Sequence, residues 1–158
     1  MDSLKVLDLE RPIREADISE ALMMTYVTGY VAALLTFFLA DMAWLGTMAP
    51  RFYRPTLGDI AISGVNLPPA MVFYAAYPVG LLIFATSPAL KSGSITTAVV
   101  YGALFGFFTY ATYDLTNYAT LRNWTLHLTL VDVAWGTILA AITSAVTFWV
   151  VSKFVGAG

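Results

Sequence analysis

The stretch from Tyr110 to Trp124, YATYDLTNYATLRNW, holds Asp114 together with Tyr110, Tyr113, Tyr118, Asn117, Asn123 and Arg122 at the end of an apolar run. A carboxylate is costly at membrane depth, so one retained there faces a bundle interior or a water-filled cavity and has a partner. Two more carboxylates sit in look-alike contexts, Asp41-Met-Ala-Trp44-Leu-Gly46 and Asp132-Val-Ala-Trp135-Gly136. At spacing i, i+3 the acid and the indole share one helix face, and an indole there fills space while donating its N–H toward a polar cavity. The plainer reading places these tryptophans in an interfacial aromatic belt. It accounts for the indoles and leaves Asp41 and Asp132 unexplained.

Carboxylates gathered in a partly dry site repel one another unless cations such as Arg122 or Arg51 offset the charge. Three chemistries are open to them. The first is a pocket for an amphipathic or lipid-like molecule, whose headgroup meets Asp41, Asp114, Asp132 and Arg122 while its tail lies along the apolar half, with an aspartate placed to act as general acid or base. The second is a cation or proton site of a small transporter. His127 with carboxylates has metal-ligand types, yet one histidine and no close ligand motif speak against a metal, and the apolar half offers a transporter no charged path. The third is a satisfied polar network that holds the helices of a non-enzymatic accessory subunit or scaffold in register.

Composition fixes the solvent in which this happens. The 158 residues are 59% hydrophobic and 11% charged, with mean hydropathy +0.74, whereas a soluble domain carries roughly 25% charged residues. Such a chain cannot cover a water-facing surface and belongs in a lipid bilayer. A formal charge of −2 and a pI near 5.1 argue against a nucleic-acid partner, which would need a basic patch. The absence of cysteine removes disulfides, thiolate catalysis and cysteine metal sites. No Walker, dinucleotide, zinc-protease or nucleophile-elbow signature occurs, so no cofactor is indicated and no reaction is assigned.

Four apolar segments must position these residues: about Ala21 to Gly46, Leu67 to Ser87, Ile95 to Tyr118 and Leu126 to Val151. Each is long enough to cross a hydrocarbon core that needs about 20 helical residues. The expected fold is an all-α integral membrane four-helix bundle over residues 21–158 with short loops, preceded by an acidic tail over residues 1–20. That tail sets Asp2, Asp8, Glu10, Glu15, Asp17 and Glu20 against Lys5, Arg11 and Arg14 and lacks the positive n-region of a secretory signal. Asp17 with Glu20 resembles an N-cap and its reciprocal partner. An alternative for the tail is an interfacial helix using Leu4, Val6, Leu7 and Ile13, broken at Pro12. Thr47 to Asn66 reads as the one sizeable loop, with Pro50, Pro55, Gly58 and Gly64 as turn formers. The short link at Lys91-Ser92-Gly93-Ser94 makes the second and third spans antiparallel neighbours.

With four alternating spans, Asp41 near the end of the first, Asp114 near the end of the third and Asp132 near the start of the fourth all fall on one membrane face. Each lies on the order of 5 to 9 Å inside its helix end. His127, Arg122, Arg51 and Arg54 belong to that face, and the opposite half is almost entirely apolar. The tail, Lys91 and Lys153 carry five basic residues against three on the site face, a bias that puts both termini in the cytoplasm. On the third span Ala98, Gly102, Gly106, Tyr110 and Asp114 form one stripe, in which the glycines allow close helix approach, and Tyr113, Asn117 and Tyr118 are within reach of Asp114. Pro78 frees a carbonyl in the second span, either for packing or as a kink that turns Tyr74 or Tyr77 toward the site. The candidate ligand-binding residues are Asp41, Trp44, Tyr110, Asp114, Asn117, Tyr118, Arg122, His127, Asp132 and Trp135.

The elements Asp41-x-x-Trp44-Leu45-Gly46, Phe52-Tyr53, Leu104-Phe105-Gly106-Phe107 through Tyr110-Ala-Thr-Tyr-Asp-Leu-Thr-Asn-Tyr-Ala-Thr-Leu121, Trp124 and Asp132-x-x-Trp135-Gly136 resemble an uncharacterised bacterial membrane-protein family, domain of unknown function 2177. The resemblance covers about Thr25 to the C-terminus and leaves the acidic tail outside. It implies four spans in a bacterial inner membrane and identifies Asp41, Asp114, Asn117 and Asp132 with the family's polar motif positions. It implies no activity, and a larger membrane complex or a homo-oligomer stays open.

Overall fold

The computed structural model describes residues 15–155. The expectations for the acidic tail, apart from its last six residues, lie outside the described part. The chain forms α1 (Glu15–Met48), α2 (Arg54–Leu57), α3 (Leu67–Leu81), α4 (Ser87–Ser92), α5 (Ile95–Thr120) and α6 (Leu126–Phe154), with no strand among the described residues. Short π-helical segments, Ala49–Tyr53 and Leu82–Thr86, join α1 to α2 and α3 to α4. Four helical stretches, Asp17–Ile60, Leu67–Ser92, Ile95–Thr120 and Leu126–Phe154, are therefore long and apolar enough to cross a membrane. Leu35, Val72, Phe84, Phe108, Ile142 and Trp149 are exposed on the outside of the bundle, where lipid tails take the place of water.

Two boundaries differ from the sequence expectation. Asp17 lies within α1 rather than at its cap. The expected loop from Thr47 is helical as far as Ile60, which leaves 61–66 as the non-helical link. Pro50 and Pro55 do not break the path; each falls at a junction where one type of helix passes into another. Gly58 then takes a positive φ, +58°, ahead of the non-helical link.

Elsewhere the local chemistry follows ordinary rules. Gly93 ends α4 in the left-handed conformation, φ +63°, which closes the tight turn into α5. Ser94 then caps α5 by accepting from the Thr97 N–H, and Thr125 caps α6 by accepting from the Leu128 N–H at 3.1 Å.

The seam between α5 and α6 is the tightest in the molecule, and its spacing explains why. Ala98, Gly102, Gly106 and Asp114, on one stripe with Tyr110 at every fourth position, are buried, and the stripe runs antiparallel to Ser144, Ala140, Gly136 and Asp132, which are four apart. A methyl group at Gly102 would lie 2.7 Å from the Ala140 carbonyl oxygen, and one at Gly106 would lie 2.7 Å from the Ala140 methyl. At Gly136 the Tyr110 ring occupies the place of the missing side chain. Small residues thus bring the two backbones together, and the same register sets Asp114 opposite Asp132.

The second span behaves differently along its length. Its Leu82–Ser92 half packs against α5, while α3 leans on α1 and diverges from α5. Pro78 and the π-helical segment lie at the point of divergence, and proline and π-bulges are the usual causes of such a bend. Below it, Phe37, Tyr77, Leu81, Ala85, Leu139 and Ala140 form the buried core. The half expected to be almost entirely apolar also contains buried hydroxyls, Thr86, Thr143, Ser144 and Thr147. Thr86 and Ser144 bond one another at 3.3 Å, and Thr147 donates to the Thr143 carbonyl at 2.7 Å.

Candidate functional site

Asp41, Asp114 and Asp132 come together at one end of the bundle. That end is closed by the two connections on the same face: the Asn123 side-chain amide donates to the Leu57 carbonyl at 2.8 Å and to Asp59 at 2.9 Å.

The two Asp-x-x-Trp elements are engaged with each other. Trp135 on α6 donates its indole N–H to Asp41 on α1 at 3.1 Å. Trp44 on α1 donates to the Tyr53 hydroxyl at 2.9 Å, and Tyr53 in turn donates to Asp132 on α6. Between these links the two indoles stack, with ring centroids 4.3 Å apart and planes 4° from parallel. Because α1 and α6 run in opposite directions, the deeper aspartate of one meets the deeper tryptophan of the other. Tyr74 on α3 completes the shell of Asp41 by donating to its second oxygen at 2.6 Å. Spans one, two and four are thereby tied through a single set of carboxylates.

Asp114 stands apart from this satisfaction. It is fully buried, its carboxyl faces that of Asp132 across the α5–α6 seam within hydrogen-bonding reach, and no other donor among the described residues reaches its oxygens. A buried carboxyl with a single such partner keeps only part of the compensation that ordinarily makes its burial tolerable.

A cavity of about 870 Å³ opens beside these groups where α3 parts from α5. Its polar end is formed by Asp41, Asp132, Tyr74, Tyr77, Thr109 and Tyr110, and its apolar end by Phe38, Met42, Leu45, Met71 and their neighbours. The size lies within the roughly 300–1,000 Å³ usual for small-molecule sites. Met71 and Leu67 at its margin are also exposed on the outer surface of the bundle, so the cavity opens to the outside of the bundle.

The remaining candidates are distributed as follows. Tyr110 lines the cavity, and Asn117 is half-buried beside Tyr113. Tyr118, Arg122 and His127 are exposed and do not contribute to the lining; the His127 ring packs edge-on against Phe52, centroids 5.1 Å apart. Arg51 and Arg54 are exposed as well, and Arg54 donates to the Ser63 carbonyl at 3.0 Å. The hydrogen bonds that the carboxylates accept come from tyrosine and tryptophan, not from arginine. Among the described residues, no group of three or more histidine, cysteine, aspartate or glutamate side chains is arranged to hold a metal ion.

Tyr53 and Tyr74 are the contributors that local sequence spacing did not single out. Tyr74 carried a signal in its place four residues before Pro78. Tyr53 carried none beyond its position in the Phe52-Tyr53 element.

The model of a family described as a predicted membrane protein (DUF2177) matches residues 26–149. No curated protein and no solved structure matches the chain. The matched stretch takes in Asp41, Trp44, Tyr53, Tyr74, Asp114, Asp132 and Trp135 together, and the chain belongs to the DUF2177 family of membrane proteins.

Proposed function

We propose that the protein binds an amphipathic or lipid-like small molecule, with the head of the molecule at Asp41 and Asp132 and its tail against Phe38, Met42, Leu45 and Met71. The observation that carries this reading is the cavity: one continuous space of about 870 Å³ joins two aspartates to an apolar wall that opens to the outside of the bundle. The exposed Tyr118, Arg122 and His127 are left outside this set. We place the protein in a bacterial inner membrane with both termini in the cytoplasm and the site beneath the outer face, a reading supported by the excess of lysine and arginine at the opposite end.

A second reading draws support from the bonds that link Asp41 and Asp132 to three spans: the polar cluster serves assembly of the bundle, within an accessory subunit or scaffold of a larger complex. One experiment separates the two. Untargeted mass spectrometry of lipids and small molecules that co-purify with the protein is carried out on the wild type and on Asp114→Asn and Met71→Trp. Pocket binding predicts a defined molecule in the wild type, reduced about tenfold in either variant (about 1.4 kcal/mol), with expression and thermal unfolding unchanged. Loss of expression and thermal stability in Asp114→Asn, with no enriched molecule in the wild type, supports the structural network instead.

A further inference from the structure

We infer that the molecule held in this cavity is a cation: an amphiphile whose head is an ammonium group. The inference rests on the binding reading above and concerns the charge that the site selects. Three observations carry it. The cavity lining contains Asp41 and Asp132 and, among the described residues, no lysine, arginine or histidine. The arginines nearest in sequence are exposed, and Arg54 is turned to its own loop, so no cation of the described residues lines the cavity.

The second observation is independent of the count of acids. Asp114 is fully buried behind Asp132, within hydrogen-bonding reach of Asp132 and of no other donor among the described residues, and it is not part of the cavity lining. Asp132 itself is bonded by Tyr53 on one oxygen and borders the cavity. The head of a ligand at Asp132 would therefore meet a carboxyl that has a second carboxyl buried directly behind it. An ammonium group supplies both the N–H donors and the positive charge that two facing carboxyls call for.

The third is the aromatic surround. Tyr74, Tyr77, Tyr110 and Tyr113 all border the cavity beside the aspartates, and a cation within about 6 Å of such ring faces gains further attraction, most when it is desolvated. An anionic head would meet the carboxylates at close range and would be repelled. A neutral head would leave the charge of Asp41 and Asp132 without a counter-charge.

The test uses the full chain in phosphatidylcholine nanodiscs, titrated with dodecylammonium, dodecanol and dodecanoate, which share one tail and differ in head charge. Empty nanodiscs correct for partitioning, and quenching of tryptophan fluorescence, to which the stacked Trp44 and Trp135 contribute, reports binding. Dodecylammonium is expected to bind saturably and at least about tenfold more tightly than dodecanol or dodecanoate. The preference should fall about tenfold in Asp41→Asn, which keeps an oxygen acceptor for Tyr74, and in Asp114→Asn. Equal saturable binding of all three, abolished by Met71→Trp, overturns the cationic head and leaves the amphiphile site standing. Tighter binding of dodecanoate overturns it likewise. No saturable binding of any of them overturns both.

Discussion

At the scale of single residues, the centre of the molecule is an exchange in which each Asp-x-x-Trp element satisfies the other. Tyr53 is the critical intermediary, since it accepts from Trp44 and donates to Asp132. Tyr53→Phe leaves a half-buried acceptor and a half-buried indole donor unpaired together, and is expected to destabilise the protein by about 1–3 kcal/mol, read as a lower unfolding midpoint in detergent. Trp44→Phe and Trp135→Phe should be non-additive, with a coupling of about 0.5–1.5 kcal/mol for the lost stack, measured by a double-mutant cycle. The aspartates were legible in the sequence because a carboxylate inside an apolar run has few bland explanations. Tyr74 was legible only as one of two tyrosines that a kink at Pro78 could turn toward the site, and Tyr53 was not, because tyrosine is at home both in a core and at an interface, and its partners lie on other spans. Arg122 and His127 show the converse: charge type is visible in a sequence, whereas the direction of a side chain at a helix end is not.

At the scale of elements, the four-residue stripes of α5 and α6 decide where the aspartates meet. Half of this was legible: Gly102, Gly106 and Asp114 stand out on the third span. The matching row Asp132, Gly136, Ala140 and Ser144 is hidden, because alanine and serine are common in any apolar helix and their register needs the partner helix to be seen. Gly106→Ala would press a methyl against the Gly136 carbonyl and the Ala140 side chain. It should cost about 1–3 kcal/mol by overpacking. Gly46, with open space around it, is the control: Gly46→Ala should be neutral or stabilising by about 0.5–1 kcal/mol, and unfolding in a denaturing detergent compares the two. The proline makes a different prediction. In Pro78→Ala the backbone donor returns and α3 can straighten toward α5, closing the cavity. Nitroxide labels at Met71→Cys on α3 and Leu115→Cys on α5 should then move closer, as read by double electron–electron resonance. An unchanged distance would show that packing against α1, rather than Pro78, holds the gap open.

At the scale of the whole molecule, parity alone brings three distant aspartates to one end, and this was the part of the fold most fully legible, since four apolar runs leave little choice of architecture. What parity does not fix is which end faces the cytoplasm. The basic residues decide that, and the structure bears on how to count them. Arg54 is bonded to Ser63 within its own loop and reports that loop's conformation as much as its side of the membrane, so the three arginines of the site face weigh less against Lys91 and Lys153 than a bare count allows. The chain contains no cysteine, so single cysteines serve as unambiguous reporters at exposed positions. Ser63→Cys and Arg122→Cys, on the two connections joined by the Asn123 amide, should react with a membrane-impermeant maleimide added to intact cells. Ser92→Cys and Ser152→Cys should react only after the membrane is opened. The reverse pattern would put the carboxylates beneath the cytoplasmic face, and an amphiphile reaching them would then have to be drawn from the inner leaflet.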